Sequence, residues 1–191
     1  MKKIIRIIAL ILAMTFVFCS CNKSSVEQTQ VKFTMTNGDS FVMELYPEYA
    51  PKTVENFVEL VSDGFYDGLT FHRVVEDFMA QGGCPEGTGM GGSSMKIKGE
   101  FATNGFKQNT LSHTRGVVSM ARSASPNSAS SQFFICYSDA TFLDGQYAAF
   151  GMVVSGMEVV DSFLEIERTM GSDGAISKPI EPIVIEKAEV L

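Results

Sequence analysis

Phe71-His72-Arg73-Val74-Val75-Glu76-Asp77-Phe78-Met79-Ala80-Gln81-Gly82-Gly83 sets a cation and an amide among aromatic, thioether and β-branched side chains. The composition of the stretch predicts strands over 69–75 and 78–81. Gln81 lies eight residues after Arg73, so antiparallel pairing of the two strands can place them side by side. Phe78 and Met79, taken alone, read as core. On spacing alone a structural ion pair is the plainer alternative to a functional role for Arg73.

Outward from that stretch the pattern is mostly of strands. Upstream, Val31, Phe33 and Met35 alternate with polar residues, as do Phe41, Met43 and Leu45. Asn37-Gly38 between them tolerates positive φ, which is a hairpin signature. A helix then opens near Pro51, where a missing N–H costs least. Val54, Phe57, Val58 and Val61 form its apolar stripe, and Gly64 can stop it. Glu55 and Glu59 read as its solvated face. Downstream, strands are expected at 97–100, 116–121, 131–136, 147–153 and 183–190. A second helix is expected near Ser155, with Glu158 completing a capping box and Val159, Val160, Phe163 and Leu164 on its apolar side. Seventeen Gly against six Pro, in 191 residues that are 45% hydrophobic, suit many tight turns around one core. Many strands with two helices imply a mainly β fold, a closed or nearly closed antiparallel barrel spanning 31–191 as one domain.

The first twenty residues differ in kind. Lys2, Lys3 and Arg6 precede an apolar run from Ile7 to Phe18, the pattern of a secretory signal over 1–20. The run is short for a bilayer core about 30 Å thick. Ser20-Cys21 resembles the lipobox of bacterial lipoproteins, with Cys21 as the lipidated residue and a polar tether to residue 30. Cys19 follows bulky Phe18 and fits that role poorly. The expected location is extracytoplasmic, on a bacterial membrane held through the lipid. Without the three basic residues of the signal, 12 Lys and Arg face 22 Asp and Glu, a balance of −10. No basic patch stands out, which argues against a nucleic-acid partner.

Several motifs reduce to plainer readings. Gly87-Thr88-Gly89-Met90-Gly91-Gly92 matches G-x-G-x-x-G, but no helix pattern follows it, so it reads as a mobile surface loop. Ser123 to Ser131 resembles a linker, yet it lies between two strand patterns and reads as a long loop within one domain. His72 and His113 have no metal-ligand spacing with each other or with the cysteines. Cys136, in the apolar run Phe133-Phe134-Ile135-Cys136, reads as a buried free thiol. No signature of covalent catalysis is present.

Three ordered motifs give the chain a close resemblance to the cyclophilins over about 31–191. Phe71-His72-Arg73 with Phe78-Met79 and Gln81-Gly82-Gly83 is the first. Gly116-Val117-Val118-Ser119-Met120-Ala121 with Ser131-Gln132-Phe133-Phe134-Ile135 is the second. Leu143-Asp144-Gly145 with Phe150-Gly151 is the third, and Lys178-Pro179-Ile180-Glu181-Pro182 adds a bacterial-type feature. The resemblance implies an eight-stranded closed antiparallel barrel capped by two α-helices, and peptidyl-prolyl cis–trans isomerase activity with no cofactor and no metal. It makes Arg73 the catalytic arginine. Phe78, Met79, Phe134 and Leu143 would line the proline pocket, and Gln81, Ala121 and Gln132 would hold the substrate backbone. Phe142 stands where many eukaryotic members have Trp, and Tyr147 where they have His; both are common in bacterial relatives, and both belong to the expected substrate site. Phe142 has no indole N–H, so weak cyclosporin binding is expected. The implied partners are proline-containing unfolded or extended polypeptides, and assistance to extracytoplasmic folding is the implied role. A chaperone or scaffold that grips proline segments with incidental turnover is the alternative.

Overall fold

Alternation at the start of the chain does what its period of two requires. β1 (Gln30–Met35) and β2 (Ser40–Leu45) each bury every second residue. They pair antiparallel with Phe33 opposite Phe41, whose rings stack with centroids 5.2 Å apart. Gly38 (φ 90°) closes the turn, donating its N–H to the Met35 carbonyl. The computed structural model describes residues 29–191. The expected signal 1–20, Cys21 and almost all of the tether lie outside the described residues.

Helix α1 (Pro51–Ser62) buries Val54, Phe57 and Val61, while Glu55 and Glu59 face solvent. Ala50 at its N-cap offers no side-chain acceptor. Glu100, buried and 48 residues beyond Lys52, takes that role. Its carboxylate accepts the N–H of Lys52 at 3.0 Å and both the N–H and hydroxyl of Thr53 at 2.8 Å. Negative charge on free N–H groups at a helix start is favourable twice over, by hydrogen bonding and by the helix dipole. This also explains why 97–100 is not the expected strand. Only Ile97 makes a bridge, to Ala129, and the chain then turns to deliver Glu100 to the helix.

Seven further strands complete two sheets after β3 (Thr70–Val75): β4 (Met79–Cys84), β5 (Val117–Met120), β6 (Phe133–Cys136), β7 (Ala149–Ser155), β8 (Arg168–Met170), β9 (Ile176–Pro179) and β10 (Ile183–Val190). Eight of the ten strands close a barrel in the order β1-β10-β3-β4-β6-β5-β7-β2, every described pairing antiparallel; β8 and β9 form a separate hairpin. The eight-stranded closed antiparallel barrel with two helices is therefore the fold. The barrel has no open lumen, because Phe33, Phe57, Tyr66, Phe71, Phe133 and Phe150 pack ring against ring inside it at centroid separations of 5.0 to 6.3 Å. Helix α2 (Met157–Ser162) runs into a 3₁₀ turn whose Phe163 packs 4.9 Å from Phe71.

Two local expectations give way. Ser155 does not cap α2: it is the last residue of β7, and Gly156 (φ 77°) turns the chain so that the helix begins at Met157 without a side-chain cap. A Cβ at Gly156 would overlap the Ser40 carbonyl, so glycine is required there on both counts. The β8–β9 hairpin is absent from the sequence reading because β8 buries no alternating face and β9 alternates with Ser177 and Pro179 inward and Ile176 outward, which is not an apolar pattern.

Candidate active site

Arg73 and Gln81 are opposite each other, as their spacing allows, but the face they share is set by an irregularity. In the β3–β4 ladder Phe71 pairs with Gly82 and Arg73 with Gln81, leaving His72 as an extra residue. In an unbroken strand Phe71 and Arg73 would point the same way. The bulge changes that parity. Phe71 and Val74 enter the barrel, while Arg73 and Val75 stand on its outer side with Gln81 and Met79. Gly83 (φ 79°) is the penultimate residue of β4, and a Cβ there would sit 2.6 Å from the Ser131 carbonyl oxygen, so the close approach of β4 to the 123–131 loop requires glycine.

The outer faces of β4 and β6 build a second, smaller apolar cluster. Met79, Phe134 and Cys136 are joined by Ala140 and Leu143 from the segment leading into β7, with Phe78, Ala121 and Tyr147 packed on its edge. Met79, Phe134, Leu143, Phe78, Ala121 and Tyr147 of this cluster wall a groove of about 350 Å³ that Arg73 and Gln81 also line. The Phe134 ring forms the floor, with Tyr147 edge-on to it at 6.0 Å. Phe142, 66% exposed, forms a lip 5.8 Å from Phe78. Of the residues expected at the substrate site, only Gln132 does not line this groove. It stands behind Gln81, accepting the Gln81 amide N–H at 2.8 Å and donating to the carbonyls of Gly89 (2.9 Å) and Gly91 (2.6 Å). The glycine-rich loop is thus a surface loop, but one tied to the site through Gln132.

The guanidinium is held from several sides. Nη1 donates to Gln81 Oε1 at 3.3 Å and lies 3.9 Å from Met79 Sδ. Its central carbon lies 5.9 Å from the Phe78 ring centroid. Nε donates to Asp173 Oδ2 at 2.6 Å. The ion-pair reading of Arg73 therefore holds, with Asp173 as the partner. Burial raises the Asp173 pKa, but the Arg73 guanidinium, the Ser177 hydroxyl and the Ala175 N–H outweigh it and hold the carboxyl down to about 2.

Two residues at the groove escaped the sequence reading. Arg122, directly after Ala121, spans Tyr147 (4.5 Å) and Phe101 (5.2 Å) and donates from Nε and Nη2 to the Gln146 carbonyl. Its position beside a quoted motif was the available signal. Asp173 had none. Among the described residues, Cys84 and Cys136 are free and buried. Burial pushes the Cys136 thiol up to about 12, where it is inert. For Cys84 burial also raises the pKa, but N–H groups of the glycine-rich loop, beginning with Glu86 and including Gly89 at 3.2 Å, more than offset it.

The family described as "Cyclophilin type peptidyl-prolyl cis-trans isomerase/CLD" matches residues 30–190. Peptidyl-prolyl cis-trans isomerase ppi1 of Schizosaccharomyces pombe is 46% identical over 160 residues, 82% of this chain and 96% of that protein. Peptidyl-prolyl cis-trans isomerase B of Bacillus subtilis is 48% identical over 126 residues, 66% of this chain and 84% of its own length. The cyclophilin type peptidyl-prolyl cis-trans isomerase of Cryptosporidium parvum, crystallised in the presence of the dipeptide Ala-Pro, superposes with a TM-score of 0.73 at 31% identity, covering 85% of this chain and 98% of that one. The chain belongs to the cyclophilin-type isomerase family. Its activity is peptidyl-prolyl cis–trans isomerisation.

Proposed function

We propose that the groove takes the pyrrolidine ring of an extended client and that Arg73 donates to the prolyl nitrogen as the amide twists. A planar X–Pro amide rotates over a barrier of about 18–20 kcal/mol because its C–N bond has partial double-bond character. Uncatalysed exchange takes tens to hundreds of seconds. No bond breaks, so the demand is for selective stabilisation of the twisted form. Midway through rotation the nitrogen loses resonance and gains a usable lone pair. A donor aimed at it helps only the twisted state, which is the condition for catalysis.

The observation that carries this reading is a charged guanidinium fixed at the mouth of an apolar groove, with Nη2 unpartnered among the described residues. Arginine keeps its charge throughout and offers several N–H donors. Phe134, Leu143, Met79 and Phe78 would exclude water from the amide, which removes solvent's preference for the planar, charge-separated form. Ala121, Gln81 and Gln132 would hold the neighbouring backbone, and Phe142 and Tyr147 the groove's outer edge. Phe142 supplies surface but no N–H donor, so cyclosporin would bind weakly. A protease-coupled assay on a proline tetrapeptide tests the site directly: addition of the purified protein is expected to accelerate cis-to-trans exchange, and free proline-containing peptide to compete.

The same proposal places the enzyme outside the cytoplasm, on a bacterial membrane through lipid on Cys21, where it would assist the folding of exported proteins. The support is the basic-then-apolar opening of the chain and Ser20 before Cys21. Several acyl chains together anchor stably, at about 0.8 kcal/mol per buried CH₂. Mass spectrometry of the mature N-terminus is expected to find a diacylglyceryl or triacyl Cys21. A chain beginning elsewhere, or an unmodified Cys21, would refute the anchor.

A further inference from the structure

One end of the Arg73 guanidinium serves the proposed chemistry. The other meets Asp173, which lies 100 residues further along the chain in the turn between β8 and β9. That turn is shaped around the carboxylate. Oδ1 accepts the Ser177 hydroxyl at 2.8 Å and the Ala175 N–H at 3.1 Å, which leaves Oδ2 for Arg73 Nε at 2.6 Å. The Gly171 N–H donates to the Ala175 carbonyl at 2.7 Å, and a Cβ on Gly171 would overlap both Ser177 Oγ and the Asp173 carboxylate. On the opposite flank Gln81 receives Nη1 and is itself held by Gln132. The guanidinium is therefore gripped at two of its three nitrogens by two separate elements. Held at Nε and Nη1 and tethered through the Nε–Cδ bond, the planar group has its plane fixed, and Nη2 is the nitrogen left over.

We propose that Asp173 is a positioning residue for isomerisation: it fixes the plane of the Arg73 guanidinium in the resting enzyme, so that the remaining N–H edge is set before a client arrives. The inference rests on the donor role proposed for Arg73. Arginine has many rotamers, and ordering it during the reaction would cost rate; holding it in advance removes that cost. The Ser177 and Ala175 donors do the corresponding work for Asp173. Its carboxylate draws off part of the positive field at the guanidinium, so the balance favours positioning only because the pair is directed at Nε, away from Nη2.

The test is a double-mutant cycle on a proline tetrapeptide, with Asp173→Ala, Asp173→Asn, Arg73→Ala and the pair Arg73→Ala/Asp173→Ala. Asp173→Ala is expected to lower kcat roughly threefold to tenfold, the cost of freeing one rotamer-rich side chain. KM should barely move, because the apolar groove is untouched. Asp173→Asn keeps an oxygen acceptor and is expected to restore most of the rate. In the Arg73→Ala background the Asp173 change should have no effect, since there is nothing left to orient. The Arg73 Nε–H resonance, slow to exchange with water in the wild type, should exchange faster in Asp173→Ala. An unchanged or raised kcat in Asp173→Ala would overturn the inference; a raised rate would mark Asp173 as a latch on Arg73. An equal loss in the Arg73→Ala background would also overturn it, by assigning the effect to the hairpin. Full activity of Arg73→Ala would remove the donor role and this inference together, whereas a slow Arg73→Ala beside an unaffected Asp173→Ala would remove the inference alone.

Discussion

Replacing Arg73 with Ala is expected to cut kcat/KM on an X–Pro peptide about tenfold to a hundredfold while the protein stays folded. The size follows from the interaction removed. A hydrogen bond from a charged donor is worth about 1.5–3 kcal/mol, and each factor of ten in rate corresponds to about 1.36 kcal/mol. The residual catalysis expected is that of the groove, which on the proposed reading would still desolvate the amide and grip the ring. The fold survives because the bulge at His72 has put Arg73 outside the barrel, away from the packed rings. The groups it leaves keep other partners: Gln81 has Gln132, and Asp173 has Ser177 and Ala175. Arg73→Lys is expected to recover little, because an ammonium cannot bond Asp173, Gln81 and a client nitrogen in one plane. Matched unfolding midpoints with a slowed coupled assay are the expected pair of results. A wild-type rate in Arg73→Ala would end the donor assignment.

What the sequence reveals about this site divides along physical lines. The opening hairpin is legible because alternation and Asn37-Gly38 are local signals that the barrel reinforces. The Arg73–Gln81 pair is legible for the same reason, since a register eight residues deep is local. The face on which the pair stands is not. It depends on one unpaired residue, and His72 carries no mark that distinguishes a bulged position from a paired one. The expected strand at 97–100 fails because Glu100 answers to a helix 48 residues earlier, a demand invisible from its neighbours. The groove residues Phe134, Leu143 and Tyr147 read as ordinary apolar positions by periodicity; only the resemblance to a family separated them from the core. Asp173 is the extreme case. It sits in a short hairpin with no apolar pattern, where Asp and Gly are ordinary turn formers, and its pairing spans 100 residues.

A buried histidine shows the converse, a chemically suggestive cluster that the fold turns to structural use. His113 Nδ1 lies 2.8 Å from Asp144 Oδ1, and Nε2 lies 3.0 Å from Ser119 Oγ. Asp144 accepts only, so Nδ1 carries the proton and Nε2 accepts from the Ser119 hydroxyl. This is the connectivity of a hydrolytic triad, yet Ser119 and His113 are both 0% exposed, and no substrate carbonyl reaches them. The cluster instead pins the segment that walls the groove. The His113 carbonyl accepts the Ala140 N–H at 2.7 Å, its backbone N–H is held by Asp144, and its ring stacks 6.0 Å from Phe134.

His113→Ala is accordingly expected to destabilise the protein by roughly 3–5 kcal/mol, through a cavity under Phe134 and a buried Ser119 hydroxyl left without its ring partner. The wild type should also carry an acid-side signature. Burial disfavours the charged ring and lowers the His113 pKa below 6.5; Asp144 pulls it upward but does not win. The unfolded chain binds its proton near 6.5, so below that pH it holds a proton the fold does not, and stability falls as pH falls until the folded pKa is reached. His72, also lowered by burial, contributes with the same sign. Asp144 enters only further into acid. For its carboxyl, burial raises the pKa, but Ser112 and His113 outweigh it and hold it below 3.8, so its contribution is lost only below that value. Urea unfolding between pH 7 and 5 should therefore show a steeper loss of stability for the wild type than for His113→Gln, the difference being the share of His113. Equal slopes in the two proteins would mean that His113 is not held neutral by the fold.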